Sequence, residues 1–441
     1  MPRARHDPLA RTLGLLDTAA LVVGSIVGAG IFATAGDVAA ALPHPGWMLA
    51  AWIVGGLLSI AGALVNAEMA ASLPHAGGDY VYLSEAYHPC VGFLAGWGSF
   101  FAIYAGTVAT LAVGLTEYLA VFVPAAGHGP WVALAAVLVS SWLNYRGTLV
   151  GARVQTIVTV LKVAAIGAFV VAAPLLGAGN VSLRGLAAGD ATAIGPSAFA
   201  LALIPILFAY LGWNAPVFVA SEIRDPDRTL PRAIFAGTLV CIVLYVATNL
   251  VYLSAVPVDE MAGQVRVAEM AARRLFGPLG ATLVSLLVVL SIAGCLHATV
   301  LVGPRIVYAM ALDGLFARRL ARVHQHRATP HVAIAVQAIV ACLLIVGWGT
   351  FTRLLTYTTF AIVVFATLDA LAIYLLRWRL PDLRRPYRAW GYPWVPAVYV
   401  ATNLWLVVAT LLARPVEAVG VLVIVATGLP VYILYARGHA T

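Results

Sequence analysis

The sequence has little charge. Aspartate, glutamate, lysine and arginine together make up only 10% of its 441 residues, whereas hydrophobic residues make up 62%. A soluble globular protein carries roughly 25% charged residues, because its surface must face water. The apolar residues also stand in runs of about twenty, which is the length of helix that crosses a lipid bilayer. The composition therefore excludes a water-soluble particle of this size and indicates an all-α membrane protein.

Cysteine is also scarce, and the usual sequence motifs of enzymes are missing. The four cysteines have no spacing typical of a metal site or a redox pair, so we expect them to act as small buried hydrophobic residues. No Walker loop is present, and Gly28-Ala29-Gly30 is no dinucleotide-binding loop, because Ala33 replaces its third glycine. These absences predict no cofactor and no resident metal, and they argue against an enzyme.

Hydropathy predicts twelve membrane spans and no cleavable signal before the first. Residues 74–89 are too polar to cross and are predicted to form a loop with a short interfacial helix. The predicted spans are 15–37, 46–71, 90–122, 130–145, 153–176, 195–220, 232–256, 278–303, 331–348, 352–376, 393–412 and 416–436.

The basic residues predict the orientation of these spans. With the N-terminus inside, 19 arginines fall on cytoplasmic segments and 6 on the opposite side. Such a bias is typical of membrane proteins, whose cytoplasmic loops are basic. The sequence therefore predicts a multi-pass protein of the cell (inner) membrane, in contact with membrane lipid and with both termini cytoplasmic. The net charge of +8 then needs no nucleic-acid partner.

Two predicted spans are interrupted by glycine at corresponding places, five spans apart. The first reads GSIVGAGIF over residues 24–32, and the second reads FAYLGWN over residues 208–214. Unwound backbone persists in a membrane only where it lines a cavity, and paired breaks are typical of a transporter built on an inverted repeat. Alternatively, Gly24 and Gly28 form a small-xxx-small pair that only allows close helix packing. The two matching breaks favour a binding site.

Lys162 is the single lysine in a chain whose other 25 basic residues are arginine. It stands about nine residues, roughly 14 Å, into the fifth predicted span. A cation at that depth is costly and indicates a functional role rather than snorkelling to the surface. Lysine, unlike arginine, can release its proton when it is buried. It is expected to act either as a fixed cation replacing a sodium ion or as a titrating group.

Other polar residues within the spans are weaker signals. Glu68 and Glu117 lie near span ends and are expected to reach lipid headgroups. Asp369 and His297 lie deeper, so each is expected either to join a proton pathway or to bond a neighbouring helix. Four aromatic residues near span ends are predicted interfacial anchors, namely Trp47, Trp131, Tyr252 and Trp394.

Ordered motifs along nearly the whole chain resemble those of one family. The chain resembles the amino acid–polyamine–organocation (APC) superfamily, and within it the prokaryotic relatives of L-type amino acid transporters. The motifs are Gly24–Phe32, Pro74–Tyr80, Asn144–Gly147, Phe208–Asn214, Leu230–Arg232, Gly303–Arg305, Asp313-Gly314 and Arg385–Tyr387.

The resemblance implies a leucine-transporter-type fold within one transmembrane transporter domain, residues 1–441. Two inverted five-helix repeats would cover about 13–177 and 194–377, with discontinuous helices one and six and two peripheral helices at about 393–436. It also implies sodium-independent secondary transport of L-amino acids by alternating access, as an exchanger or a proton-coupled symporter.

The resemblance further implies a binding site at the two breaks. The substrate carboxylate would meet the amides of Ala29, Gly30 and Ile31, and its ammonium would meet the carbonyls of Ile26, Phe208 and Leu211. Phe208 matches an aromatic outer gate, and Trp213 and Asn214 complete the predicted site. Lys162 matches a family lysine that stands at an ion site and bridges spans one and eight.

Three departures from the family pattern refine these expectations. Ala29 stands where many relatives have serine, so only backbone groups would bind the substrate carboxylate there. Residues 123–130 contain no cysteine, so a disulfide-linked heavy subunit is not expected. No acidic residue stands at either break, which favours neutral amino acids over the alternative of cationic amino acids or polyamines. A non-transporting amino acid sensor and a membrane-embedded enzyme are the rival functions.

Overall fold

The structure is a computed structural model that describes residues 13–73, 79–124, 129–146, 151–176, 194–213, 216, 223–312, 314–317, 320 and 329–437. Within these ranges every regular element is helical, and the one β-type pairing is an isolated bridge between Leu13 and Ile223.

The described residues of the first half of the chain form ten α-helices and one π-helical segment. They are α1 (Leu15–Ile26), α2 (Gly30–Ala33), α3 (Ala35–Ala41), α4 (Pro45–Ser72), α5 (Asp79–Ala86), α6 (Pro89–Gly98), the π-helix (Ser99–Tyr104), α7 (Ala105–Leu119), α8 (Trp131–Arg146), α9 (Gly151–Leu176) and α10 (Pro196–Ala209). Proline begins α4, α6 and α10, where its missing amide costs no hydrogen bond.

The second half contains seven helices. They are α11 (Pro226–Ala255), α12 (Val258–Met261), α13 (Val267–Leu312), α14 (His331–Trp348), α15 (Phe351–Arg379), α16 (Trp394–Ala413) and α17 (Pro415–Arg437). A break at Gly277, with φ of 71°, divides α13 into a short leading helix and a long one. The φ of Gly277 lies in the left-handed region that favours glycine.

Nine helical segments of the described part are long and apolar enough to cross a membrane. The other three predicted spans coincide with α8, α9 and α10, which are less apolar or shorter over their described residues. A multi-pass helical membrane protein is therefore confirmed. Several boundaries differ: the helix of the sixth span ends at Ala209, the seventh span begins six residues early, at Pro226, and the eighth extends to Leu312. Large apolar side chains remain exposed along many helices, as expected of surfaces that face lipid.

The expectation that Glu68 reaches lipid headgroups is wrong. Its side chain is buried, and both carboxylate oxygens accept hydrogen bonds from Arg377 at 2.9 and 2.7 Å. Arg385 lies 3.8 Å away, and the amide of Ala389 also donates to Glu68. An ionised carboxylate in a buried place requires such partners, because it has lost its water. The network ties α4 to the end of α15 and to the segment that follows.

The four predicted interfacial anchors divide into two groups. Trp47, Trp131 and Trp394 are exposed, in agreement with a position at the membrane surface. Tyr252 is fully buried instead, with its hydroxyl 3.5 Å from the carbonyl of Ile31, so the anchor interpretation is wrong for this residue. The tyrosine faces the broken first span because α11 packs along α1.

Candidate functional site

The first span is broken at the predicted place. α1 ends at Ile26, Val27 leaves helical geometry with ψ of 87°, and α2 begins at Gly30. The amides of Phe32 and Ala33 donate to the carbonyl of Ala29. Among the described residues, the amides of Ala29, Gly30 and Ile31 make no backbone hydrogen bond. The break therefore presents a group of free N–H donors, as the first turn of any helix does.

The second break begins where α10 ends at Ala209, and it touches the first break through backbone. A Cβ on Gly30 would lie 2.3 Å from the Cα of Ala209. Gly212 has φ of 121°, and a Cβ there would lie 2.5 Å from the carbonyl oxygen of Ser25. Glycine at positions 30 and 212 therefore allows the two breaks to pack closely and to adopt their unwound backbone conformation. The continuation of the second break beyond Trp213, including Asn214, lies outside the described residues.

Tyr245 on α11 joins the two breaks, and no sequence pattern pointed to it. Its hydroxyl lies 2.8 Å from the carbonyl oxygen of Ile26 and 3.2 Å from that of Ala209. The side chain is fully buried, and its ring packs edge-on against Trp52. Carbonyls freed by the two helix ends are hydrogen-bonded here by one side chain, which holds both ends in register.

We expect Tyr245→Phe to slow transport about three- to tenfold, because it removes a hydrogen bond worth about 1 kcal/mol that orients both breaks. Initial rates of labelled amino acid uptake into liposomes measure this effect. Tyr252→Phe is the matched control, since its hydroxyl makes only a 3.5 Å contact in the same region and should change the rate less than twofold. Equal rates for both variants would contradict the bridging role.

A cavity of about 290 Å³ lies between the two breaks, walled by the π-helix, α7, α13 and α15 as well. This volume is at the small end of ligand-binding pockets. Six predicted site residues line it, namely Ile26, Ala29, Gly30, Phe208, Leu211 and Trp213. The side chain of Ile31 is fully buried behind the wall, so only its backbone amide is placed to serve the cavity.

Two of the three carbonyls expected to meet the substrate ammonium already accept a hydrogen bond. The carbonyl of Ile26 accepts from the Tyr245 hydroxyl, and that of Phe208 accepts from the amide of Leu211 at 3.2 Å. A carbonyl oxygen has two lone pairs, so each retains one for a ligand.

The π-helix in the third span forms one wall, although nothing in the sequence suggested it. Ser99, Ile103 and Tyr104 from this segment line the cavity. A π-turn widens the helix by one residue and is frequent at functional sites. Here it places two polar side chains opposite the first break.

Lys162 is buried, with 1% exposure, and it contacts a residue of the cavity wall without lining the cavity itself. Its Nζ lies 3.8 Å from the Sγ of Cys295 on α13, and Cys295 lines the cavity. A Cβ on Gly28 would lie 3.1 Å from the same sulfur, so Cys295 stands between the lysine and the first break. Sequence reasoning treated Cys295 as an inert hydrophobic residue and missed this position.

Two carboxyl groups line the cavity, at a distance along the chain from either break. Asp79 at the start of α5 and Asp369 on α15 both form part of the wall, beside Asn66 of α4. Of the two deeper residues considered from sequence, Asp369 is thus in the cavity. His297 instead has its Nδ1 3.1 Å from the amide nitrogen of Asn144, which supports its role in bonding a neighbouring helix.

The cavity is bounded differently at its two ends. At the α5 end, Asp79 and Tyr80 are partly exposed. At the α3 end, Ile31 and Phe32 are buried, and the Tyr118 hydroxyl lies 2.7 Å from the carbonyl oxygen of Phe32. The amide of Gly263 also donates to the carbonyl of Gly36, which closes this end with the segment after α12.

Comparison with known proteins agrees with this geometry. Residues 13–435 match the family described as amino acid permease. The chain is 31% identical over 436 residues to the serine/threonine exchanger SteT of Bacillus subtilis, covering 96% of both proteins. It is 28% identical to the b(0,+)-type amino acid transporter 1 of Mus musculus, covering 97% of this chain and 88% of that protein. It is 29% identical to the large neutral amino acids transporter small subunit 2 of Homo sapiens, covering 97% and 80%. The chain therefore belongs to the amino acid permease family of the APC superfamily, and it is a membrane transporter of amino acids.

Proposed function

We propose that this protein moves neutral L-amino acids across the cell (inner) membrane by alternating access, without sodium, as an exchanger or a proton-coupled symporter. The observation that carries the proposal is the cavity between two backbone breaks, with unsatisfied amides at one of them. Free amides and carbonyls side by side match the two charged ends that every amino acid has.

The substrate would lie across the two breaks. Its carboxylate accepts hydrogen bonds from the amides of Ala29, Gly30 and Ile31, which have no other backbone acceptor in the described part. Its ammonium donates to the remaining lone pairs of Ile26 and Phe208 and to the carbonyl of Leu211. The Phe208 ring covers the substrate as a gate, with Trp213 and Asn214 at the same break.

The choice of neutral substrates is supported by charge. Among the described residues, no acidic side chain stands at either break, so a cationic side chain bound there would be desolvated without a partner. Of the described residues that line the cavity, the carboxyl groups are those of Asp79 and Asp369, which lie together at the α5 end. The names of two relatives also specify uncharged substrates: serine and threonine in one, large neutral amino acids in the other.

We propose that Lys162 makes transport independent of sodium. Its Nζ lies behind Cys295 at the first break, where a fixed positive charge would take the place of a sodium ion. A protonated lysine would exclude a second cation from this position by electrostatic repulsion.

For the whole chain we propose twelve spans with an inverted repeat, residues about 13–177 and 194–377, and two peripheral helices, with both termini in the cytoplasm. In this orientation the α5 end of the cavity faces the cytoplasm. The open α5 end and the closed α3 end would then correspond to an inward-facing state. A disulfide-linked heavy subunit is not part of this proposal, because residues 123–130 carry no cysteine.

Uptake into liposomes tests the proposal. The purified protein is reconstituted, and labelled alanine, leucine and arginine are offered with and without unlabelled amino acid inside, in sodium-free and sodium-containing buffer. We expect alanine or leucine to exceed arginine by at least about tenfold, because the breaks hold no partner for a side-chain cation. We also expect sodium to have no effect. Preferred uptake of arginine would instead support the cationic alternative, and binding without flux would support the sensor.

A further inference from the structure

Asp79 and Asp369 come from distant parts of the chain and meet at one end of the cavity. Asp79 begins α5, which lies between two predicted spans, and Asp369 lies within α15. Both carboxyl groups line the same end of the cavity, beside Asn66 of α4. Two neighbouring carboxylates repel each other, so such a pair is most stable when one of them carries a proton, which the other can accept in a hydrogen bond.

Among the described residues, the surroundings of this pair supply no compensating cation. Asp369 is only 6% exposed, and its Oδ1 has no hydrogen-bond partner in the described part of the chain. The nearest arginine along α15, Arg377, is bonded to Glu68. The titratable groups that face the pair, within the described ranges, are five tyrosines: Tyr80, Tyr82, Tyr87, Tyr104 and Tyr399.

A phenol does not provide positive charge, so no described residue neutralises the pair, whereas a bound proton or a cation entering the cavity would do so. The closeness of the two carboxyls in the cavity wall favours the proton, because they can share one proton in a hydrogen bond, whereas a bound cationic group would have to lie between them. Burial also raises the pKa of the Asp79 carboxyl, which lies outside the membrane-spanning segments, so a proton is retained closer to neutral pH.

We propose that the Asp79–Asp369 pair is the proton-binding site that couples proton movement to amino acid transport. This inference rests on the proposed transport function. It identifies the coupling ion, which the proposed function left open. The pair faces the same cavity as the substrate amides and stands at the partly exposed α5 end. A proton bound there travels with the substrate and is released when the cavity opens on the other side.

Proton counting in liposomes tests this proposal with the full-length protein. A pH-sensitive dye inside the vesicles records proton entry while labelled serine is followed in the same sample, with valinomycin and equal potassium holding the voltage at zero. We expect about one proton for each serine in the wild type, since two carboxyls share one proton. In Asp369→Asn and in Asp79→Asn, we expect this ratio to fall to about a tenth or less.

Asp382→Asn is the matched control, because it removes a carboxylate from an exposed position just after α15. Its proton-to-serine ratio should equal that of the wild type. Asp369→Glu is the second variant, which restores a titratable group if the asparagine variant moves no serine. We expect it to restore proton entry with a shifted pH dependence, whereas serine entry without protons in this variant would overturn the proposal.

Four other outcomes decide the proposal. Serine entry without proton entry in the wild type overturns it and leaves the proposed function intact. A normal proton ratio in Asp369→Asn overturns it as well. If the wild type moves no protons but takes up labelled arginine, and both asparagine variants lose this uptake, the proposal is overturned. The pair then binds a substrate cation instead. No entry of any labelled amino acid removes the proposed function and this inference together.

Discussion

Replacing Gly30 by alanine should reduce transport about 100-fold or more. The added Cβ would lie 2.3 Å from the Cα and 2.6 Å from the Cβ of Ala209. A backbone atom cannot rotate away as a side chain can, so the ends of α2 and α10 must separate. Overpacking of this kind costs about 1–3 kcal/mol or more, and here it also displaces the amides proposed to bind the substrate. Such a displacement acts directly on the geometry of the site.

Initial rates of labelled alanine exchange in liposomes, with the melting temperature of the purified variant, measure this effect. Gly167→Ala is the matched control, since an added Cβ in α9 has no heavy atom within 4 Å. That control should keep its transport rate and gain slightly in stability, because alanine favours a helix by about 1 kcal/mol over glycine. A wild-type rate for Gly30→Ala would show that the two breaks do not need to touch.

Replacing Lys162 by alanine should abolish transport and leave the protein largely folded. The ammonium is buried to 1% exposure, and its Nζ lies 3.8 Å from a cysteine sulfur that lines the cavity. Without the charge, the first break loses the cation that we propose in place of a sodium ion. We expect exchange to fall to a few per cent of the wild-type rate or less, because charges buried at such positions are rarely structural.

Two further lysine variants separate charge from volume. Lys162→Met keeps most of the side-chain volume without the charge and should be as inactive as the alanine variant. Lys162→Arg keeps the charge in a larger planar group and should retain more activity than either, without restoring it fully. Elution as a single monodisperse peak in size-exclusion chromatography verifies folding. Wild-type uptake by Lys162→Met would contradict a role for the charge.

The two helix breaks that border the cavity were predicted largely from local features. Glycine clusters at residues 24–32 and 208–214 mark broken helices, because glycine adopts conformations that interrupt a helix at low steric cost. The matching positions of the clusters indicated a shared site, and six of the predicted residues line one cavity. Lys162 was singled out because a charge within an apolar run is recognisable from hydropathy alone.

Other parts of the site depend on contacts that no local pattern predicts. Tyr245 reads as an ordinary apolar position of the seventh span, and Cys295 as a small hydrophobic residue, until α11 and α13 place them against the first break. The absence of acidic residues at the breaks was a correct observation about neighbours in sequence. It did not reveal Asp79 and Asp369, which reach the same cavity from a loop and a distant helix.

The sequence by itself determined the membrane class, most span positions and the two breaks, because run length, charge and glycine content act over a single turn or span. Only the tertiary structure decided which polar groups meet. Glu68 pairs with Arg377, and Asp79 pairs with Asp369, across intervals of several spans. The reason is physical: a buried polar group must find a partner wherever the packed helices bring one, and helix packing is a property of the whole chain.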